Sequence, residues 1–263
     1  MTVTDQMQRT VQLNHPPQRI VSLVPSQTEL LHHLGLEQEV VGITKFCVHP
    51  EHWFRHKTRV GGTKKVHLDR ITELQPDLII GNKEENTRDE IEALARRWPV
   101  WMSDIHTLED ALEMIRQVGQ ICRRPESASN LAERIQDAFR QIPSPDPAPG
   151  RVLYLIWRKP YMAVAKNTFI DEMLLQAGFR NALTDRTRYP ELTASDLQKV
   201  NPDHIFLSSE PYPFREKHFA ELKELCPRAS IHLVDGEVFS WYGSRLLQAP
   251  AYFRELRKTT TYP

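Results

Sequence analysis

The chain has 263 residues, 40% of them hydrophobic and 26% charged, with Lys plus Arg equal to Asp plus Glu at 34 each. That length suits two lobes of about 100–130 residues, and the composition is that of a soluble globular protein. A formal net charge of zero excludes the basic excess of a nucleic-acid binder, and no apolar run approaches the ~20 residues that span a bilayer.

The N-terminal segment has no basic stretch followed by an apolar run, and no small-residue cleavage site, so no signal peptide is read there. Arg19–Val24 is a β-branched run that reads as a buried strand. Pro25 follows, and Ser26-Gln27-Thr28-Glu29 has the form of a capping box, predicting a helix through Leu34 that stops at Gly35. Val40–Thr44 predicts a second strand, and Lys45-Phe46-Cys47-Val48-His49-Pro50 a loop beyond it. Gly61-Gly62-Thr63-Lys64 lacks the spacing of a phosphate loop and reads as a tight turn. Ile71–Ile80 predicts a helix, a Pro76-Asp77 turn and a strand; Asn82–Asn86 beyond it fits either polar site contacts or a solvated helix start. Cys122, after the helical run Ala111–Ile121, and Cys226, at a helix end, read as small buried hydrophobes. Pro125–Ile142 reads as one helix with Pro125 in its first turn and an apolar stripe of Leu131, Ile135, Ala138 and Ile142. Pro143–Gly150 reads as a stiff extended connector.

The second half repeats the plan of the first. Arg151–Ile156 is a strand, Thr168 to Asp171 a cap, Glu172–Ala177 a helix and Gly178 its stop. Leu197–Phe206, with Pro202-Asp203 at its turn, matches Ile71–Ile80, and the offsets from Val21 to Pro76 and from Val152 to Pro202 are 55 and 50 positions. The expected fold is therefore α/β: two Rossmann-like lobes with mainly parallel sheets, joined by one long backbone helix that permits modest closure, with a ligand cleft between the lobes. The expected divisions are an N-terminal lobe at 1–124, the linking helix and connector at 125–150, and a C-terminal lobe at 151–263.

In such sheets, ligands bind beyond the carboxyl ends of the strands, which points to the loops after Val24, Thr44, Gly81, Ile156, Ser208 and Asp235. Phe46, Trp157, Tyr189, Trp241 and Tyr242 fall in this and neighbouring loops, several beside an Arg such as Arg158, Arg188 or Arg245, and flat aromatic walls with a few polar groups suit a large planar ligand. Ordinary packing explains any one of them as well. Cys47 and His49, in the loop after Thr44, are further ligand-contact candidates and the weak candidates for direct metal ligation, but no second ligand pair is evident; His52 and His56 read as the surface of a helix after Pro50, and His32-His33 likewise as helix surface. Three scattered cysteines form no disulfide framework, and no nucleophile elbow or dinucleotide fingerprint occurs.

The runs Arg19–Gly35, Val40–Thr44 and Leu74–Ile80, together with Phe46–Pro50, Gly61–Lys64 and Asn82–Asn86, resemble the class III periplasmic binding proteins, the vitamin B12 and ferric-siderophore receptors of ABC importers, and within them the cobalamin branch. The resemblance covers roughly residues 19–257. It implies a non-enzymatic protein with no intrinsic cofactor that binds cobalamin or another metal chelate. Phe46, Trp157, Tyr189 and Trp241 would pack on the corrin, with Arg245 as a polar contact. It also implies docking on a permease through Asp69 and, with a one-residue shift, Asp196; the neutral charge balance and the lack of a clear exposed apolar stripe point to a monomer with no membrane span. The alternatives are a ferric-siderophore or haem receptor, an intracellular corrinoid sensor or carrier, and a metallocluster oxidoreductase relative, which would need cysteines from both lobes. The resemblance implies a periplasmic or cell-surface location; the absent leader leaves the cytoplasm open.

Overall fold

The computed structural model of the protein describes residues 1–143 and 150–260, so the connector expected at 143–150 falls, apart from its end residues, outside them. In chain order the elements are β1 (Thr2–Thr4), β2 (Thr10–Gln12), β3 (Ile20–Ser22), α1 (Pro25–His33), β4 (Val40–Ile43), α2 (Glu51–His56), β5 (Thr58–Arg59), α3 (Leu68–Leu74), β6 (Leu78–Asn82), α4 (Arg88–Ala95), β7 (Val100–Ser103), α5 (Leu108–Ile121) and α6 (Pro125–Arg140). There follow β8 (Arg151–Trp157), β9 (Tyr161–Ala163), α7 (Phe169–Gln176), β10 (Arg180–Asn181), β11 (Glu191–Leu192), α8 (Ala194–Val200), β12 (His204–Ser208), α9 (Phe219–Leu225), β13 (Ser230–Val234), α10 (Gly236–Ser240) and α11 (Ala249–Thr260).

The chain divides into two compact units. Unit 1 comprises residues 1–105, 109–136 and 242–245; unit 2 comprises 106–108, 137–241 and 246 onward, so the division falls inside α6. Unit 1 contains the β1–β2 hairpin and a five-stranded sheet in the order β5-β4-β3-β6-β7, parallel throughout. Unit 2 contains the order β11-β9-β8-β12-β13, with β10 also on β8; β9 is antiparallel to both its neighbours and the other pairs are parallel. The fold is α/β with two mainly parallel sheets. The central strands β3, β6 and β12 are buried along their whole length, as strands covered by helices on both faces must be.

The internal repeat is a repeat of hydrogen bonds as well as of elements. Helices α3 and α8 both end in a left-handed residue, Gln75 (φ 42°) and Asn201 (φ 41°), each followed by Pro-Asp. Asp77 then accepts from the amides of Gln18 and Arg19 at 2.8 and 2.9 Å, and Asp203 accepts from the amide of Arg151 at 2.7 Å. Their own amides donate back to the carbonyls of Arg19 and Arg151, both at 3.0 Å. The arginines close the motif: Arg19 donates to the Leu74 carbonyl and Arg151 to that of Asn201. Each Pro-Asp turn thereby sets the register of the strand after it against the first strand of its unit, Leu78 opposite Ile20 and His204 opposite Val152.

Local expectations fare unevenly. Thr168 caps α7 by accepting from the Asp171 amide, and Gly35 and Gly178 take positive φ at the ends of α1 and α7. The capping box expected at Ser26–Glu29 does not form. Pro25 takes the first helical position, Val24 is the cap residue in extended backbone, and Ser26 is buried inside the first turn; proline's φ is already helical and its missing N–H leaves one fewer unpaired donor in the first turn. Helix α6 ends at Arg140, two residues short of the expected Ile142, and its buried stripe is Ala128, Leu131, Ala132, Ile135 and Phe139, with Ala138 only half-buried. Cys122 and Cys226 are buried, as expected of small hydrophobes.

Candidate functional site

All five strands of the unit 1 sheet run in one direction, so their carboxyl ends share one edge. The loop after β4 is built there from Thr44 outward. Lys45 donates its amide to the Gly61 carbonyl at 2.8 Å, and the Cys47 amide returns to the Thr44 carbonyl at 3.2 Å. This tight winding alternates the side chains. Phe46 and Val48 are 50% and 40% exposed, while Cys47 between them is fully buried. The Lys45 ammonium lies 5.0 Å from the centre of the Phe46 ring. Cys47 Sγ sits 3.1 and 3.2 Å from the hydroxyls of Thr28 and Thr44, and burial raises its pKa, so it is a neutral thiol at physiological pH. His49 is half-buried in the same loop.

Behind Phe46 lies the glycine turn. Gly62 donates to the Lys65 carbonyl at 2.7 Å, and Gly61 has φ 115°. A Cβ on Gly61 would stand 2.7 Å from that same carbonyl oxygen, so the run is the tight turn its spacing implied. Beside it, the loop after β6 is held by a buried amide knot. Asn82 accepts from the Glu84 amide at 2.8 Å and donates to Ser103 Oγ at 2.9 Å; Asn86 accepts from the Asn82 amide at 2.9 Å and donates to the Thr63 carbonyl at 2.8 Å. Gln27 donates to Ser103 Oγ at 2.6 Å and leaves its buried Oε1 without a partner. On this loop, Glu85 is half-buried, and burial raises its pKa against the opposing pull of Lys64.

Residues 242–245 also belong to unit 1. Arg245 donates from Nε and Nη2 to the two carboxylate oxygens of Glu29, at 3.0 and 2.8 Å, with side-chain exposures of only 11% and 19%. A Cβ on Gly243 would meet the Ser26 carbonyl at 2.9 Å, and Tyr242 is buried. The carboxylate expected to cap α1 instead receives a bidentate guanidinium from a segment more than two hundred positions away.

In unit 2, Trp157 is the last residue of β8 and is 40% exposed. Its ring meets Tyr212 edge-on at 5.6 Å, and Tyr212 in turn meets Phe214 edge-on and His218 at a tilt. Arg158, next to Trp157, is engaged by Glu221 at 2.5 and 3.0 Å, and the Tyr161 hydroxyl donates to the same carboxylate. Trp241 is buried, donating its indole N–H to Glu210 at 2.9 Å, with the Ser240 hydroxyl on the same oxygen at 3.0 Å. Tyr189 lies elsewhere along the sheet. The bonds from Ala163 to the Pro190 carbonyl and from Ala165 to the Arg188 carbonyl place it beside Val164, whose amide donates to the Tyr154 carbonyl. Tyr189 is thus level with Tyr154, three residues back from Trp157.

The structure therefore gathers Phe46, Cys47 and His49 on one loop, and sets Trp157 and Trp241 on loops at the carboxyl ends of β8 and beyond β13. It does not bring Tyr189 to the strand ends. Tyr212 was missed by sequence reasoning, although Pro211-Tyr212-Pro213 stands in the loop after Ser208 already singled out. Of the docking candidates, Asp69 is exposed in the first turn of α3. Asp196 is engaged: its carboxylate accepts from the Thr193 amide and hydroxyl and from Arg186, which hold its pKa at about 2. The metal candidates Cys47 and His49 join no group of three ligands among the described residues. The histidines read as mere helix surface supply one instead, His32 and His52 with Glu37.

A family model described as periplasmic binding protein matches residues 20–224, well over half the chain. The chain belongs to the periplasmic binding protein family. It is 26% identical over 200 residues to a vitamin B12-binding protein of Pectobacterium atrosepticum, covering 73% of this chain and 71% of that one. It is also 26% identical over 215 residues to an uncharacterized ABC transporter substrate-binding lipoprotein of Bacillus subtilis, covering 78% and 68%. Among solved structures, the periplasmic vitamin B12 binding protein of Vibrio cholerae superposes with a TM-score of 0.79 at 23% identity, over 93% of this chain and 98% of that one. A periplasmic haem-binding protein in complex with two haems gives 0.79 at 21%, over 92% and 99%. Family members are non-enzymatic components that deliver metal chelates such as vitamin B12, haem or siderophores to ABC importers. Among the described residues, no helix is long and apolar enough to cross a membrane.

Proposed function

We propose that this family member binds a cobalt corrinoid of the vitamin B12 type through the loops at the carboxyl ends of its strands. The observation that carries the reading is the exposure of two aromatic side chains. Among the described Phe, Tyr and Trp residues, only Phe46 and Trp157 are exposed, and both stand where β4 and β8 end. An exposed aromatic ring costs free energy in water and recovers it against a flat apolar ligand. The vitamin B12-binding relative of Pectobacterium adds support. His49 and Tyr212 flank these two rings as further contacts. Cys47, Trp241, Tyr242 and Arg245 lie beneath the surface and act by holding the loops. Asp69 is the docking carboxylate available to a permease arginine; Asp196 would have to exchange Arg186 for it.

Calorimetric titration with cyanocobalamin, haemin and a ferric hydroxamate siderophore, run in parallel, tests the reading. One-to-one, sub-micromolar binding of the corrinoid alone is expected, and Phe46→Ala and Trp157→Ala should each weaken it by about 1–3 kcal/mol. Binding of haemin or the siderophore without the corrinoid would overturn the ligand assignment; unchanged affinity in both variants would remove the two rings from the site.

A further inference from the structure

Among the described residues, one group of three metal-ligating side chains comes together, and it stands apart from the strand-end loops. Glu37 lies three residues before β4 begins, on the amino side of the sheet. His32 is in the last turn of α1, and His52 is the second residue of α2. The turn at Gly35 (φ 73°) reverses the chain after α1 and brings Glu37 back beside His32. Trp53, fully buried, pins α2 beneath them and thereby fixes its neighbour His52.

The ligand atoms of the three side chains lie within 4.8 Å of one another. His52 Nε2 is 3.2 Å from Glu37 Oε2, and the His32 and His52 rings meet edge-on at 5.2 Å. Donors on a first-row metal at bond lengths of about 2.0–2.1 Å stand roughly 3–3.5 Å apart. The His52–Glu37 pair already has that spacing, and His32 needs only side-chain rotation to close on it. The Trp53 indole N–H donates to the Glu37 carboxylate, the kind of outer hydrogen bond that orients a metal-bound carboxylate. Lys57 Nζ, 3.8 Å from Glu37 Oε1, donates to the Glu37 carbonyl at 2.5 Å and lies over the Trp53 ring, so it stands beside the carboxylate that a bound cation would share.

We propose that His32, Glu37 and His52 form a binding site for a single divalent transition-metal ion of the zinc type, on the helical side of unit 1 and separate from the chelate site. Two imidazoles and a carboxylate are the donor set that suits zinc, nickel or copper, with the remaining position left to water or to a group from a partner. The cation would take the place of the hydrogen bond between His52 and Glu37 and tie the end of α1 to the start of α2.

The test uses the full chain without a histidine tag, stripped with a chelator and titrated with Zn²⁺ by calorimetry and with Co²⁺ by visible absorption. One Zn²⁺ per chain should bind with an affinity on the order of micromolar, and Co²⁺ should develop the intense d–d bands of a four-coordinate site. His32→Gln, His52→Gln and Glu37→Gln should each weaken Zn²⁺ binding by about tenfold or more. Zn²⁺ should raise the melting temperature of the parent chain and leave that of the two histidine variants unmoved. Absence of stoichiometric binding, or a one-to-one isotherm that the two histidine variants leave unchanged, would overturn the proposal. Both histidine side chains lie at the surface, so these two variants decide the matter even if Glu37→Gln disturbs the contact with Trp53.

Discussion

Several residues that resemble ligand contacts in the sequence owe their position to partners within the protein. Arg245 is the clearest case. Its bidentate pair with Glu29 is largely buried, so truncating it would strand a carboxylate in a poorly solvated place. Arg245→Ala should destabilise the chain by about 1–3 kcal/mol, a figure reduced for the residual exposure of the pair, measured by urea unfolding; a variant as stable as the parent would show that the pair contributes nothing. The alternation in the loop after β4 is a second lesson at this scale. Phe46-Cys47-Val48 reads as three apolar residues, and only the backbone bonds of the loop decide that the ring faces solvent while the thiol faces Thr28 and Thr44.

At the scale of elements, the packing of α5 on α6 depends on a missing side chain. A Cβ on Gly119 would fall 2.2 Å from the Ala128 Cβ and 3.0 Å from the Arg124 carbonyl. The two helices thus approach through a glycine–alanine contact that no larger residue permits. Gly119→Ala should cost about 1–3 kcal/mol of stability even though alanine is the better helix former; a rise in melting temperature would mean that the contact relaxes freely. Elements with strong periodicity or strong punctuation were legible in the sequence: α5, α6, the two Pro-Asp turns, and the central strands with their apolar runs. The short strands β9, β10 and β11 and the β1–β2 hairpin were not, since two or three residues carry too little pattern to stand out. The start of α1 was misread because two cap signals overlapped, and proline prevailed over serine.

For the molecule as a whole, two acids act on stability in opposite senses. Asp196 has its pKa depressed to about 2 by the Thr193 cap and Arg186, so the stability it contributes is present above its ordinary value and is lost as pH falls through the folded one. Glu85 has a pKa raised by burial; its carboxyl is accommodated when protonated, and the cost of ionising it sets in as pH rises above the ordinary carboxylate range. Glu85→Gln should therefore raise the melting temperature at pH 7 by up to a few degrees and leave it unchanged near pH 4. A parallel loss or gain at both pH values would show that the charge is not what costs stability.

The sequence by itself determined the fold class, the internal repeat and the family, because all three rest on signals a few residues long: apolar strand runs, the two Pro-Asp turns, and the motif from Arg19 to Gly35. The loops beyond the strand carboxyl ends were singled out from the rule that ligands sit there. Only the tertiary structure decided which side chains in those loops reach solvent, because exposure depends on what comes to rest beside them. Glu29 meets Arg245, Arg158 meets Glu221 and Trp241 meets Glu210 across 216, 63 and 31 positions of sequence. His32, Glu37 and His52 become neighbours for the same reason: a turn and a buried tryptophan set the spacing between their donors, and neither is a property of the histidines themselves.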